Sequence, residues 1–308
     1  INGYLQTNNM LKTIKFDNFY FFIKKIMKQH ISPIINVTDL VELYKLESTV
    51  LIDARNGINA QLNYEVKHLD GALFVNLNSK LADIKDNVAN GGRHPLPTIE
   101  QFSNTLMSLG ISPESHVIIY DDKNGANAAA RFWWMLKAIG HKKVQVVNGG
   151  FQEAEKLNFR INSNKVKAKK IAPYKIQEWQ LPTISLIAIE KASQTKNNTI
   201  IDVRETTRYK GEFEPIDLVA GHIPTAINIP FMENLNENGL FLSPTELRSK
   251  YEKLTNDSKN NHIIVHCGSG VTACHTLLAF DYAGLKIPTL YVGSWSEWSR
   301  NNKPIETN

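Results

Sequence analysis

The sequence predicts an α/β protein made of two copies of one domain, each a small, mainly parallel sheet flanked by helices. Three observations carry this. Short apolar strands alternate with helical stretches along the chain, the order that builds parallel sheets. The order of elements and several short motifs recur about 150 residues apart, far beyond the ~20–50-residue period of a solenoid. The 308 residues, 42% apolar and 21% charged, suit two ordinary globular domains better than one.

The elements follow in order. A helix is expected over 37–46, with Thr38 or Asp39 as its cap. Val50-Leu-Ile-Asp53-Ala-Arg55 reads as a buried strand ending in charges, and 68–77 as a turn and second strand. A polar stretch holds Gly92-Arg93-His94-Pro95. Residues 98–109 read as a helix, because Thr98 and Gln101 have capping-box spacing. Strands at 117–120 and 144–147 bracket a helix over 129–139. The second half then repeats the order. A helix at 186–192 precedes Thr199-Ile-Ile-Asp202-Val-Arg204, the copy of the 50–55 strand. Gly221-His222-Ile-Pro224 copies the stretch at 68. Helices at 243–251 and 272–283 flank a strand at 262–266, and 289–292 is the last strand. The expected organisation is an extension at 1–30, a first domain at 31–159, a linker at 160–180 that lacks periodicity and carries Lys and Pro, and a second domain at 181–308.

Composition excludes several classes. The net charge of +5 comes from scattered lysines, with neither a basic face nor a nucleic-acid module, so no nucleic-acid partner is expected. It does suit a small anionic substrate. No apolar run approaches the ~18–20 residues of a membrane span. Two cysteines, Cys267 and Cys274, allow neither a disulfide framework nor a cysteine-rich zinc site, so a reducing, cytoplasmic setting and no cofactor are expected. The 1–30 segment lacks the run and cleavage site of a signal peptide and reads as a disordered or targeting extension.

The chemistry concentrates in His262-Ile-Ile-Val-His266-Cys267-Gly-Ser-Gly-Val-Thr272-Ala273. A cysteine stands at the carboxyl end of a strand, where open sheets place ligands. The following glycine-rich turn opens a helix, and its N–H groups favour negative charge, which suits a thiolate. Cys267 is therefore the candidate nucleophile, and Gly268, Ser269, Gly270, Val271 and Thr272 form a cradle around it. Phosphate ester hydrolysis would want a guanidinium at the end of the loop, where Ala273 stands. Acyl transfer would want a base, and His266 lies on the opposite strand face. Sulfur transfer through a persulfide suits a loop that offers amides and no cation. In the first copy Asp121 falls where Cys267 falls, so only the second copy carries a thiol.

These motifs, with Gly293-Ser-Trp-Ser-Glu-Trp298 and Arg131-Phe-Trp-Trp134, resemble the two-domain rhodanese-like sulfurtransferases over about residues 31–304. Cys267-Gly-Ser-Gly-Val-Thr272 is similar to the mercaptopyruvate branch. The thiosulfate branch typically has Arg-Lys in place of Gly268-Ser269, and two cations suit a doubly charged inorganic donor. The resemblance implies an active site between the domains, a small anionic sulfur donor, and a cyanide or thiol acceptor, a thioredoxin-like reductant among the thiols. It implies that Arg208 grips the substrate carboxylate and that His94 stands near the active site. Ser269 reads either as turn material or, as a hydroxyl beside the thiolate, as a group that protonates a leaving group. Two positions depart from the branch: Ile216 falls near a usual second arginine, and Asn78 replaces an aspartate beside the histidine. A monomer is expected. Thiosulfate:cyanide transfer and a non-catalytic sulfur-carrier or redox-sensing module are the alternatives. Cys274, His68, His222 and the tryptophans read as core, and Asp53–Arg55 and Asp202–Arg204 as strand-end ion pairs, because they occur in both copies.

Overall fold

In the computed structural model, which describes residues 31–195, 197–256 and 262–307, the first half builds a five-stranded sheet. Its strands are β1 (Ile34–Ile35), β2 (Thr49–Asp53), β4 (Leu73–Phe74), β5 (His116–Tyr120) and β6 (Val144–Val147), and all pairs are parallel in the order β1-β6-β5-β2-β4. Between β2 and β4, β3 (His68–Leu69) leaves the sheet and pairs antiparallel with β7 (Ile161–Asn162). The second half repeats the plan with β8 (Asn198–Asp202), β9 (Ile227–Asn228), β10 (His262–His266) and β11 (Thr289–Leu290), parallel in the order β11-β10-β8-β9. Isolated bridges complete the likeness. Thr183 pairs with Leu290 as β1 does with β6, and His222 pairs with Glu306 as β3 does with β7.

The expected order holds, with corrections at the edges. The stretch 68–77 is two short strands and the start of a helix, because a turn at Asp70-Gly71 turns the chain between β3 and β4. The 160–180 segment is not all linker, since β7 lies within it and Tyr174 is buried against His141. Helices Ala60–Val66, Gly150–Lys156 and Ser294–Trp298 went unread in the sequence. Each is only one or two turns long, too short to show a period. The capping box of the Ile99–Ser108 helix forms as its spacing implies: Thr98 accepts from the Gln101 amide at 3.1 Å, and Gln101 accepts from the Thr98 amide at 2.7 Å. The expected extension at 1–30 lies outside the described residues.

The repeat extends to individual contacts. Arg55 grips Asp53 at 2.7 Å, donates to the Lys67 carbonyl and stacks on Phe151. Arg204 grips Asp202 at 2.6 Å, donates to the Gly221 carbonyl and stacks on Trp295. His68 and His222 each donate from Nδ1 to a tyrosine carbonyl and stack on that tyrosine's ring. Buried charges persist only when paired and hydrogen-bonded. Both pairs meet this condition, so they are architecture.

The two halves share one core. The Ala128–Ala138 and Ala273–Tyr282 helices pack on each other, and nearly every residue of both is buried. Trp133 and Trp134 contribute to this junction with no exposed surface. The carboxyl ends of β5 and β10 therefore open toward the seam between the halves.

Burial sets the pH response of this core. Desolvation pushes the fully buried His275 down to about 3 and the buried His141 to about 4. Both are neutral in the native state, whereas an unfolded histidine titrates near 6.5. Below that value the unfolded chain binds more protons than the native one, so stability falls with pH. Each histidine should cost about 1 kcal/mol per pH unit between pH 6 and 4. Urea unfolding at pH 7 and pH 5 should show the lower midpoint at pH 5; equal midpoints would show that these rings are solvated.

Candidate active site

Both halves place the same turn at the end of their central strand, and the first half shows what it does. The Asp121 carboxylate, fully buried after β5, accepts four backbone N–H bonds: from Lys123 and Gly125 at 2.9 Å, Asn127 at 3.0 Å and Ala129 at 3.2 Å. Burial raises its pKa, and these amides oppose the rise. The turn is a backbone anion nest.

In the second half Cys267 holds that position after β10. The shared framing is visible in the backbone: the Phe151 amide donates to the Asp121 carbonyl, and the Trp295 amide to the Cys267 carbonyl. Cys267 is 3% exposed at the base of a cleft of about 160 Å³. Its amide donates to Ser294 Oγ at 3.2 Å. Gly270 turns the loop with φ +70°, and a Cβ there would stand 2.3 Å from the Val292 carbonyl oxygen. Only glycine fits that conformation and that approach. The His266 ring is fully buried and donates to the Cys267 carbonyl at 3.2 Å, so it faces the backbone and Asp202.

The cleft has walls from both halves. His94 comes from the first. Its Nε2 lies 3.2 Å from Asn78 Oδ1 and its Nδ1 2.8 Å from Ser269 Oγ. A carbonyl oxygen only accepts, so Nε2 carries the proton and Nδ1 accepts from the Ser269 hydroxyl. Desolvation first, then the charges of Arg93 and Arg131, push His94 down to about 4 and keep it neutral. Asn78 therefore suffices here as an orienting group.

The loop itself carries no cation, as its sequence says, yet the site is not without cations. A Cβ built on Gly268 would lie 2.9 Å from Arg93 Nη2 and 3.4 Å from Arg208 Nη2. Two guanidinium groups from distant segments thus stand where a side chain at 268 would begin. Arg208 lines the cleft as expected but is largely engaged. It donates from Nε and Nη2 to Glu214 at 2.8–3.1 Å, and from Nη1 to Glu205 at 3.3 Å. Burial alone would lower its pKa; the bonds to Glu214 outweigh this and raise it. Ile216, at the expected place of a second arginine, is half exposed on the cleft wall.

These features gather in one cleft the candidate nucleophile Cys267 at the place Asp121 holds in the first half, a hydroxyl–imidazole chain and two guanidiniums. The rhodanese-like domain family matches residues 36–156 and 187–301, the two halves of the fold. The chain belongs to the rhodanese-like sulfurtransferases. It is 35% identical over 247 residues to a probable 3-mercaptopyruvate sulfurtransferase of Pseudomonas aeruginosa, covering 79% of this chain and 86% of that one. It is 33% identical over 249 residues to a thiosulfate sulfurtransferase of Rattus norvegicus, covering 80% and 82%. The solved structure of SseA from Escherichia coli, a 3-mercaptopyruvate sulfurtransferase by its description, superposes with a TM-score of 0.70 at 27% identity, covering 86% of this chain and all of that one.

In this rhodanese-like chain the structure brings Cys267, Gly268, Ser269, Val271, Thr272, His94 and Arg208 into one lining, with Gly270 supporting the turn. Three residues of the site carry no role that the sequence pattern reveals. Arg93 is legible there only as the neighbour of His94. Arg131 is fully buried and joins the halves, donating to the Gly270 carbonyl at 3.0 Å and the His94 carbonyl at 3.1 Å. Asp217, whose side chain is buried, binds Arg93. Cys274 is core as expected: its Sγ donates to the Gly270 carbonyl, and burial pushes it up to about 12 against the opposing charge of Arg131. No helix among the described residues is long and apolar enough to cross a membrane.

Gly270→Ala should destabilise the protein by roughly 1–3 kcal/mol, the cost of a non-glycine residue forced into a left-handed turn. Chemical denaturation checks this; a change within a few tenths of a kcal/mol would mean the turn can adjust.

Proposed function

We propose that Cys267 takes a sulfur atom from 3-mercaptopyruvate, holds it as a persulfide, and passes it to a thiol or cyanide. The Asp121 nest carries this reading, because it displays in the same chain a turn that holds a buried negative charge on backbone amides. By position, the amides of Ser269, Val271 and Ala273 serve the persulfide as those of Lys123, Gly125 and Asn127 serve Asp121. Preorganised donors of this kind lower the energy of charge that develops in the reaction.

The Cys267 thiolate attacks the donor sulfur, the carbon–sulfur bond breaks with its electrons going to carbon, and the resulting enolate of pyruvate must gain a proton. The donor thiol supplies that proton. Ser269 accepts it while passing its own to His94 Nδ1, and the reverse transfer delivers it to carbon. A neutral His94 is the form that can accept. Arg208 and Arg93 hold the donor carboxylate. The persulfide then yields its outer sulfur to the acceptor and regenerates the thiolate. The first domain, 31–159, shapes the cleft, and the second, 181–308, carries the chemistry. Two unpaired cysteines fit a reducing, cytoplasmic setting.

Thiosulfate is the rival donor, and the two guanidiniums beside Gly268 favour it. Its leaving group, sulfite, needs no proton.

Incubation with 3-mercaptopyruvate should add one sulfur mass on Cys267 and release pyruvate; a Cys267→Ser variant that turns over at the wild-type rate would refute the assignment. Ser269→Ala should lower kcat with mercaptopyruvate by about 100-fold, the usual range for loss of a proton-transfer group, and by far less with thiosulfate. Equal losses with both donors would remove Ser269 from proton transfer.

A further inference from the structure

Asp217 is the residue on which the cationic side of the cleft converges. Its carboxylate has no exposed surface and does not line the cleft. It nevertheless binds three guanidiniums: Arg93 of the first half at 3.1 and 3.3 Å, Arg300 at 3.0 Å and Arg208 at 3.5 Å. Two of these, Arg93 and Arg208, also stand closest to Gly268. The loop that carries Asp217 is itself pinned, because the Trp295 indole donates to the Val219 carbonyl at 2.8 Å and the Asp217 amide donates to Glu214 at 3.1 Å.

This arrangement has two consequences. A planar guanidinium is aimed by the carboxylate it forks onto. Asp217 therefore fixes Arg93 and Arg208 side by side against the Cys267 loop. It also contributes a negative charge beside them, its Oδ2 3.6 Å from where a Cβ on Gly268 would stand, in surroundings where charges are weakly screened. Arg300 reaches the same carboxylate and also donates to the Ser296 carbonyl. It offsets part of the Asp217 charge without lining the cleft.

We infer that Asp217 is a positioning residue that sets donor selectivity: it places the two arginines and trims their combined charge to suit a singly charged keto acid over doubly charged thiosulfate. This rests on the sulfurtransferase reading above. It accounts for a cleft that holds two cations although its loop has the neutral Gly268-Ser269 pair.

Two variants should move the donor preference in opposite directions. Asp217→Asn removes the buried negative charge and should raise the ratio of kcat/KM for thiosulfate to that for mercaptopyruvate by roughly fivefold, the effect of one unit charge several ångströms away in partly screened surroundings. Arg300→Gln leaves the Asp217 charge less compensated and should lower the same ratio. Asp217→Glu keeps the charge and should stay near the wild-type ratio. A structural role alone would reduce turnover of both donors together and leave the ratio unchanged. An unchanged ratio in both charge variants, or a shift in the same direction in both, overturns the inference. Should Asp217→Asn fail to fold, Arg300→Gln decides alone, and no fall in its ratio counts against the inference. A wild-type protein that takes sulfur from neither donor refutes the persulfide reading instead.

Discussion

One constraint organises the molecule: a negative charge buried at the carboxyl end of a central strand, with the amides of the next turn around it. The first half satisfies it with the Asp121 carboxylate and its four backbone donors. A buried carboxylate without such partners would cost several kcal/mol. The second half keeps the turn and exchanges the carboxylate for Cys267. In the proposed reaction the exchange puts a sulfur where the first half holds a carboxylate, while the strand and the turn stay the same. That is why the strand-end pairs Asp53–Arg55 and Asp202–Arg204, and the stacked histidines His68 and His222, persist in both halves.

A cradle for charge becomes a site only when a second wall closes over it. The first half supplies that wall through contacts that cross the seam. Arg131 ties the carbonyls of His94 and Gly270 together, the Gly91 amide donates to Glu297, and the Arg93 amide donates to Ser296. The thiol-free copy thereby brings His94 and Arg93 to the thiol of the other. In this chain the Asp-bearing half brings polar groups to the seam, and the Cys-bearing half holds the proposed nucleophile.

The sequence made the repeat legible because apolar strands such as Val117-Ile-Ile-Tyr120 and Ile263-Ile-Val265 recur at matching places, and because Gly270 and Thr272 mark a turn into a helix. It made Cys267 legible because one cysteine stood in a glycine-rich turn. It did not reveal Arg93 against Gly268, nor Asp217 beneath both arginines. Arg93 meets Asp217 across more than 120 positions, and no local pattern encodes which of 35 basic residues folds back onto a loop. The missing second arginine at Ile216 was visible; the arginine that reaches the same cleft from the other half was not. Likewise β3 and β7 are two residues each and gain their identity only from pairing with one another.

The central claim is that the turn after β10 binds a charged sulfur as the turn after β5 binds a carboxylate. A crystal structure of the protein loaded with sulfur from 3-mercaptopyruvate tests it directly. The account predicts the outer sulfur on Cys267 within hydrogen-bond distance of the Ser269, Val271 and Ala273 amides, the pattern that surrounds Asp121. An outer sulfur turned away from the loop, with those amides bonded elsewhere, would contradict it.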